Sequence, residues 1–261
     1  MKRFLVYIIG LVLYCFSTQC VKAAVFADSE VMCSKAMADS AYAEADYPTA
    51  IHIYEQLLST YGESSVIYYN LGGAYYKMDE IAHAILNYER ALLMDPSNAD
   101  IKFNLELARA KAVDKNALVN ELFFVRWFRE FVALMDADSW AKVAILCFIV
   151  LISCLTLFIF SKKSKTKKII FTFALISLLC TILANVIASS QTAKRMHRES
   201  AIVTEPSVVV RSTPSVNGTE LFILHEGKKV KIKDDSMKAW KEIEIEDGNV
   251  GWLPAESIER I

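Results

Sequence analysis

The sequence predicts a multidomain membrane protein, with an all-α helical-repeat solenoid, two transmembrane helices and a C-terminal all-β barrel of the small, SH3-like kind. Three observations support this fold class. Small and aromatic residues recur with a period of 34 residues across 31–98. Two apolar runs of about 20 residues follow them. Residues 200–261 then consist of short β-rich segments separated by turn signals.

Residues 1–23 have the pattern of a secretory signal peptide. Lys2 and Arg3 precede an apolar core from Phe4 to Phe16, and small residues follow it. A charged N-terminal region, a short apolar core and a cleavage site with small residues are typical of such a signal peptide. A retained membrane anchor is the alternative interpretation.

The segment 65–98 is predicted to form two helices that pack closely. Gly72 and Ala84 would let the two backbones approach, while Tyr75 and Tyr88 would fill the groove beside them. This 34-residue pattern resembles the tetratricopeptide repeat. An ordinary helical hairpin with coincidental spacing is the alternative.

One repeat of this kind cannot bury its own apolar face, so neighbouring repeats are expected. A shift of 34 residues aligns Tyr88 with Tyr54 without any insertion. Asp79 stands at the inter-helix turn, where the motif usually has glycine, so a strained turn is predicted there. The predicted units are a repeat domain over 28–115, with repeats at 31–64 and 65–98 and a capping first helix at 99–113.

The first helices of such repeats line a concave face, which is the predicted site for a partner protein. Lys and Asn on this face grip a C-terminal carboxylate in some tetratricopeptide proteins, but Asp39 replaces an expected Asn and disfavours that role here. The aromatic residues suit an extended peptide or a partner helix better. The alternative is that they only fill a small core. Mapped by the period, the predicted partner-binding residues are Lys35, Tyr69, Asn70, Tyr76, Lys77, Phe103 and Asn104.

The two apolar runs predict transmembrane helices at 140–160 and 169–190, joined by a basic cytoplasmic loop at 161–168. A hydrophobic content of 54% and a mean hydropathy of +0.29 agree with membrane segments. The lysines of the loop favour the cytoplasmic side, which places both soluble domains outside the bacterial plasma (inner) membrane, in the periplasm. Charged residues are absent from the middle of both runs, which favours an anchor over a transporter. A pore formed by oligomerisation is the alternative.

An aromatic amphipathic linker helix is predicted at 116–139. Its phenylalanines and Trp127 are interrupted by Arg126, Arg129 and Glu130. Such a mixture suits the headgroup level of a bilayer. Alternatively, this helix folds back and covers the last exposed repeat face.

Residues 200–261 carry short strand-like runs such as 208–210 and 230–232, with turn signals between them. Together with Trp240 and the Gly251-Trp252-Leu253 segment, they resemble the bacterial SH3 domain. The resemblance implies that the final Gly-Trp strand packs into the core, so that Trp252 is structural rather than ligand-binding. It also implies that the domain binds cell-wall peptide or another protein.

No catalytic, cofactor or metal site is predicted. The four histidines are scattered, and no HExxH, Walker or GxGxxG motif occurs. Among the six cysteines, Cys33 alone lies outside the signal and the apolar runs, so no disulfide framework is expected. Residues 28–140 hold 18 acidic and 9 basic residues. Such acidic surfaces disfavour nucleic acid as a partner.

The order of these modules resembles the BatE family of Bacteroides aerotolerance operon proteins. The stretches YYNLGGAYYKMDEIAHAILNYERALLMDP and FNLELARA carry the resemblance best. It implies a non-catalytic scaffold in an envelope complex linked to aerotolerance or stress. Membrane proteins with von Willebrand A domains would be the partners. The alternative function is a peptidoglycan-binding membrane anchor that acts through the SH3-like domain.

Overall fold

The computed structural model describes residues 24–114, 122–161 and 163–261, with side chains from Ser34 onward. The predicted signal peptide at 1–23 therefore lies outside the described residues. Within these ranges, eight helices precede a seven-stranded antiparallel sheet. The predicted fold class is confirmed: a repeat-containing helical part and two long apolar helices are followed by an all-β part.

The first five helices pack one against the next through short turns. Polar caps begin two of them, since the Asp46 carboxylate accepts a hydrogen bond from Thr49 N at 3.3 Å and the Asn98 side chain accepts one from Asp100 N at 3.0 Å. The five helices are α1 (Ala24–Ala43), α2 (Tyr47–Tyr61), α3 (Ser65–Lys77), α4 (Ile81–Met94) and α5 (Ala99–Lys111).

Two left-handed residues mark the α1–α2 and α3–α4 turns. Ala45 has a φ of 62° and Asp79 a φ of 65°, and the two residues lie one repeat period apart. The left-handed region of φ/ψ space costs a residue with a Cβ about 1–2 kcal/mol. The strain predicted at Asp79 is therefore confirmed, and Ala45 shares it.

Helices α3 and α4 approach closely at Gly72. A Cβ added there would lie 2.9 Å from Tyr88 Cδ1 and 3.2 Å from the Ala84 carbonyl oxygen. Tyr88 is 3% exposed, and Tyr54, one period earlier, is 1% exposed. The two tyrosines thus fill equivalent positions in successive helix pairs.

Three helices follow the repeats: α6 (Phe123–Val132), α7 (Ala137–Phe160) and α8 (Ser164–Met196). By length and composition, α7 and α8 can each cross a membrane, and only 11% and 17% of their most apolar windows are buried. Helix α8 already begins within the lysine run, so the connection is shorter than the predicted 161–168 loop. In helix α6, Phe131 and Val132 are half-buried against the cluster around Trp140 of α7, and the other side chains are exposed.

The sheet curls strongly on itself. In the strand order β3-β2-β6-β5-β4-β1-β7, strands β3 and β1 lie five positions apart, about 24 Å in a flat sheet. Yet Gly227, two residues after β3, donates its N–H to the Val203 carbonyl of β1 at 2.8 Å. The strands are β1 (Ser200–Val203), β2 (Ser207–Arg211), β3 (Glu220–His225), β4 (Lys229–Asp234), β5 (Trp240–Glu244), β6 (Val250–Pro254) and β7 (Ile258–Arg260).

The sheet packs against α4, on the side of the repeats opposite the concave face. Ile202 and the C-terminal Ile261 are 0% and 5% exposed because they join the core around α4. Gly227 permits this approach, since a Cβ there would lie 2.9 Å from Ile85 Cδ1. The outer face of α4 is therefore covered by the chain itself, whereas α2 keeps exposed residues such as His52 and Glu55.

Candidate partner-binding cleft

A cleft of about 490 Å³ opens on the concave side of the repeats. Helices α1, α3 and α5 supply most of its walls, as expected for the first helices of successive repeats. Five tyrosines dominate its surface. The lining residues are Asp39, Tyr42, Tyr54, Tyr69, Asn70, Gly73, Tyr76, Lys77, Tyr88, Asn104 and Leu107.

Most of the predicted partner-binding residues meet in this cleft. The five that line it are Tyr69, Asn70, Tyr76, Lys77 and Asn104.

Two of the predicted partner-binding residues do not line the cleft. Lys35 lies one helical turn before Asp39 and binds it, and Phe103 is 69% exposed outside the lining. Successive residues of a helix point about 100° apart, so the Phe103 side chain points away from that of its neighbour Asn104. Leu107, three residues after Asn104, lies on the same helix face as Asn104.

Sequence reasoning missed the tyrosines that enter from other helices. The hydroxyl oxygens of Tyr42 and Tyr88 lie 3.6 Å and 3.7 Å from the position that a Cβ on Gly73 would occupy. Tyr54 and Tyr88 were recognised only as packing residues of the repeat. The length of the tyrosine side chain could have indicated this role, since its ring can fill the core while its hydroxyl reaches the surface of the cleft.

An internal carboxylate occupies one end of the cleft. Asp39 Oδ1 accepts hydrogen bonds from the Tyr54 hydroxyl at 2.5 Å and from Asn70 Nδ2 at 3.1 Å. Lys35 Nζ lies 2.5 Å from the other oxygen, Oδ2. Burial raises the pKa of Asp39, but the three donors lower it, and the resulting pKa is below its ordinary value. Lys35 and Asn70, the two groups that could grip a ligand carboxylate, are thus already engaged.

The other end of the cleft is held by α5. Asn104 Nδ2 donates a hydrogen bond to the Tyr69 hydroxyl at 2.7 Å. Lys111 Nζ lies 4.4 Å from the centre of the Tyr76 ring and 2.8 Å from Asp79 Oδ1. A cation over an aromatic ring is attracted by its π electrons. These contacts fix both tyrosines between α3 and α5, so the cleft is largely preformed.

In the sheet, Trp240 and Trp252 lie on the face that points away from the core. Trp252 is opposite Glu242 in the β5–β6 ladder, whereas its neighbours Gly251 and Leu253 are buried. Alternate residues of a strand face opposite sides. The structure therefore corrects the expectation that Trp252 packs into the core: it is half-buried on the outer face. The core position belongs to Leu253, which is 0% exposed.

No arrangement typical of a metal centre occurs in the parts of the chain that the structure describes, where no group of three or more His, Cys, Asp or Glu could hold an ion. Two histidines have other partners. His83 stacks on Tyr75 with ring centres 5.1 Å apart. His225 lies with Nδ1 at 2.9 Å from Asp114 Oδ1 and joins the sheet to the segment after α5.

The fold and the cleft define a helical-repeat protein with two helices able to span a membrane and a C-terminal antiparallel sheet. The family model described as tetratricopeptide repeat matches residues 65–98, which hold α3 and α4. A search of curated proteins finds no significant match to the sequence. Tetratricopeptide repeats are typically non-catalytic modules that bind other proteins, so the matched repeat indicates protein–protein interaction.

Proposed function

We propose that this protein is a non-catalytic interaction scaffold anchored in the bacterial plasma membrane, and that its tyrosine-lined cleft holds a segment of a partner protein. The observation that carries the proposal is the division of the repeat surface. The sheet covers the outer face of α4 through Ile202 and Ile261, while the concave cleft of about 490 Å³ stays open. Concave repeat surfaces are the usual binding surfaces of solenoids.

The chemistry of the cleft favours an extended peptide segment over a C-terminal carboxylate. Asp39 places a negative charge at one end and engages Lys35 and Asn70. Tyrosine rings offer large, rigid apolar faces with hydroxyl groups that can bond to a peptide backbone. An internal segment of a partner has no terminal charge to satisfy and fits such a surface.

Helices α7 and α8 serve in this proposal as a two-span anchor. Their low burial argues against the core of a soluble protein, because such helices are mostly covered by other parts of the fold. Lys165, Lys167 and Lys168 near the start of α8 favour the cytoplasmic side for the connection. The repeats and the sheet would then both lie in the periplasm.

The resemblance to the Bacteroides aerotolerance proteins suggests which partner occupies the cleft. In the proposed complex, the cleft binds a membrane protein with a von Willebrand A domain in an envelope assembly linked to aerotolerance.

Photo-crosslinking in cells tests this proposal. A photoreactive phenylalanine analogue at Leu107 lies in the cleft, and the same analogue at Phe103, on the same helix, lies outside it. We expect a crosslink to a von Willebrand A protein from position 107 only. The crosslink should be lost when Tyr69 and Tyr76 are replaced by Ala. Equal crosslinking at both positions, or none at 107, would contradict the cleft as the binding site.

A second candidate function, peptidoglycan binding through the sheet, is favoured by the outer tryptophans. Trp252 lies beside Arg211 of β2 and opposite Glu242 of β5, so an aromatic side chain stands among polar ones. Full-length protein should co-sediment with purified peptidoglycan, and Trp252→Ala should reduce the pelleted fraction several-fold. Met237→Ala, which changes an exposed residue in the loop between β4 and β5, is the control. Failure of the wild-type protein to pellet excludes this function.

A further inference from the structure

A second cavity, which we call the basic pocket, lies where α4, α8 and the sheet meet. Its volume is about 670 Å³, within the range of small-molecule sites. Residues from four parts of the fold form it. They are Glu89, Leu92, Leu93, Arg129, Ser190, Ala193, Lys194, His197, Arg198, Glu199, Ser200, Lys229, Lys231 and Ile261.

The basic pocket carries an excess of positive charge. Five Lys and Arg side chains line it, against two carboxylates. Lys229 is paired with Glu89 at 2.8 Å, and Lys231 lies 3.5 Å from Glu199. Lys194 has no ion pair among the described residues. Surplus cations around a cavity attract an anion, and the exposed side chains of Lys194 and Lys231 are accessible to one.

The basic pocket also lies at the depth of phospholipid headgroups if α8 crosses a membrane. Ser190, Ala193 and Lys194 follow directly on the apolar part of α8. At about 1.5 Å per residue, Lys194 stands roughly 6 Å beyond the predicted end of the span. The headgroup layer on each side of a bilayer is about 5–7 Å thick. The charge excess and the lipid phosphates therefore fall at the same level.

Helix α6 supplies an independent sign of a lipid surface beside the pocket. Its Phe124 and Trp127 are 63% and 59% exposed, while Phe131 packs on Trp140 of α7 with ring centres 5.4 Å apart. Exposed aromatic side chains next to a membrane span are typical of the interface. Arg129 of the same helix lines the pocket.

We propose that the basic pocket binds the phosphodiester headgroup of an anionic glycerophospholipid. The phosphate would lie near Lys194 and Lys231, and the acyl chains would extend past Ser190 along the apolar part of α8 into the bilayer. This inference rests on α7 and α8 crossing the membrane. It does not depend on the identity of the protein partner in the cleft.

Native mass spectrometry of the full-length protein in detergent tests the proposal. The protein is mixed with equal amounts of phosphatidylglycerol and phosphatidylethanolamine, and the retained lipids are counted. We expect wild-type protein to retain phosphatidylglycerol preferentially. The double variant Lys194→Gln and Lys231→Gln should lower that retention about tenfold or more, since two charged contacts to the lipid phosphate in the pocket would be lost.

The matched control removes two charges from the other end of the same helix. Lys165→Gln with Lys167→Gln should leave phosphatidylglycerol retention unchanged. Equal loss in both double variants, or equal retention of the two lipids by wild type, overturns the proposed site. Retention of neither lipid by the wild-type protein overturns it as well. A separate arm adds inorganic phosphate alone; an adduct that needs Lys194, without lipid retention, would assign the pocket to free phosphate.

Discussion

Lys229 of the sheet donates a hydrogen bond to Glu89 of α4 at 2.8 Å, across 140 positions of the sequence. The Glu89 side chain is 5% exposed and also forms an ion pair with Arg109 of α5. One buried carboxylate thus binds cations from the neighbouring helix and from the sheet. A buried charge is tolerated only when it is paired and hydrogen-bonded, so this contact specifies how the two parts dock.

Replacing Lys229 by Met should weaken the docking of the sheet on α4. Glu89 would keep Arg109 but lose one charged hydrogen bond, at a cost of about 1.5–3 kcal/mol. Equilibrium unfolding of the full-length protein in detergent measures the loss. Hydrogen exchange should rise in peptides from α4 and β1, whereas peptides from α2, which lies outside the contact, should not change.

Lys233→Met provides the control on the same strand. Lys233 Nζ lies 3.0 Å from Glu244 within the sheet, and these side chains are 43% and 31% exposed. Exposed pairs contribute less than about 1 kcal/mol. If Lys233→Met loosened α4 and β1 as much as Lys229→Met, the specific role of the Glu89 contact would be wrong.

Docking should also weaken in acid because of Glu89. Burial raises the pKa of the Glu89 carboxyl, Lys229 and Arg109 lower it, and the resulting pKa lies below the ordinary value of 4.5. A lowered folded-state pKa gives stability that is complete above the ordinary value and is lost as the pH falls through the folded one.

The Glu89→Gln variant isolates this contribution. At pH 6, it should be less stable than wild type, because its neutral amide cannot pair with Lys229. Between pH 4.5 and pH 3, the difference in the free energy of unfolding should shrink, as the wild-type carboxyl takes up its proton. Urea unfolding at a series of pH values measures it. A difference that stays constant across this range would rule out Glu89 as the titrating group.

The repeat was predictable from the sequence because its determinants are local and recur. Gly72 and Tyr88 lie 16 positions apart within one helix pair, and the period places Asp79 at the turn. Strand β3 was not among the predicted strands. Its apolar run Leu221–Leu224 does not alternate with polar residues, so periodicity alone cannot distinguish it from a helix segment.

The docking of the sheet and part of the cleft could not be predicted, because they depend on tertiary geometry. Nothing near Glu89 in the sequence indicates that a lysine 140 positions later will neutralise it. Phe103 and Leu107 illustrate the same limit within one helix. The repeat period assigned Phe103 to the concave side, but in the structure Leu107, one period after Gly73, lines the cleft and Phe103 does not.

The Asp39 carboxylate should act as an internal substitute for a ligand carboxylate. Asp39→Asn would remove the negative charge that pairs with Lys35. The amide oxygen of the variant can still accept the hydrogen bonds from Tyr54 and Asn70. We expect the variant to bind an apolar hexapeptide with a free C terminus about tenfold more tightly than the amidated peptide, through charge-assisted hydrogen bonds. Wild-type protein should not distinguish the two. Fluorescence anisotropy with labelled peptides measures both affinities.

Glu44→Gln removes an exposed carboxylate from the residue that follows α1, and this variant serves as the control. Among the described residues, the Glu44 carboxylate accepts a single side-chain hydrogen bond, from Ser40 at 3.3 Å and outside the cleft, so peptide binding should match wild type. An Asp39→Asn protein that folds but shows no preference for the free C terminus would mean that Lys35 and Asn70 cannot reach a ligand carboxylate.

Two adjacent glycines of α3 should respond oppositely to alanine. Gly72→Ala places a Cβ 2.9 Å from the Tyr88 ring, so the helices must separate, and the free energy of unfolding should fall by about 1–3 kcal/mol. At Gly73 the nearest atom, the Tyr42 hydroxyl oxygen, would be 3.6 Å away. Gly73→Ala should therefore raise stability by about 0.5–1 kcal/mol, the usual gain inside a helix.

Urea unfolding of the full-length protein compares these two variants directly. Both replace glycine by alanine in the same helix, so changes in the unfolded chain are similar and cancel in the comparison. The difference between them then reports the close approach of α3 and α4 alone. Because Gly72 lies against Tyr88, whose hydroxyl enters the cleft, Gly72→Ala should also weaken the crosslink at position 107. Equal stability of the two variants would show that α3 and α4 do not require this contact.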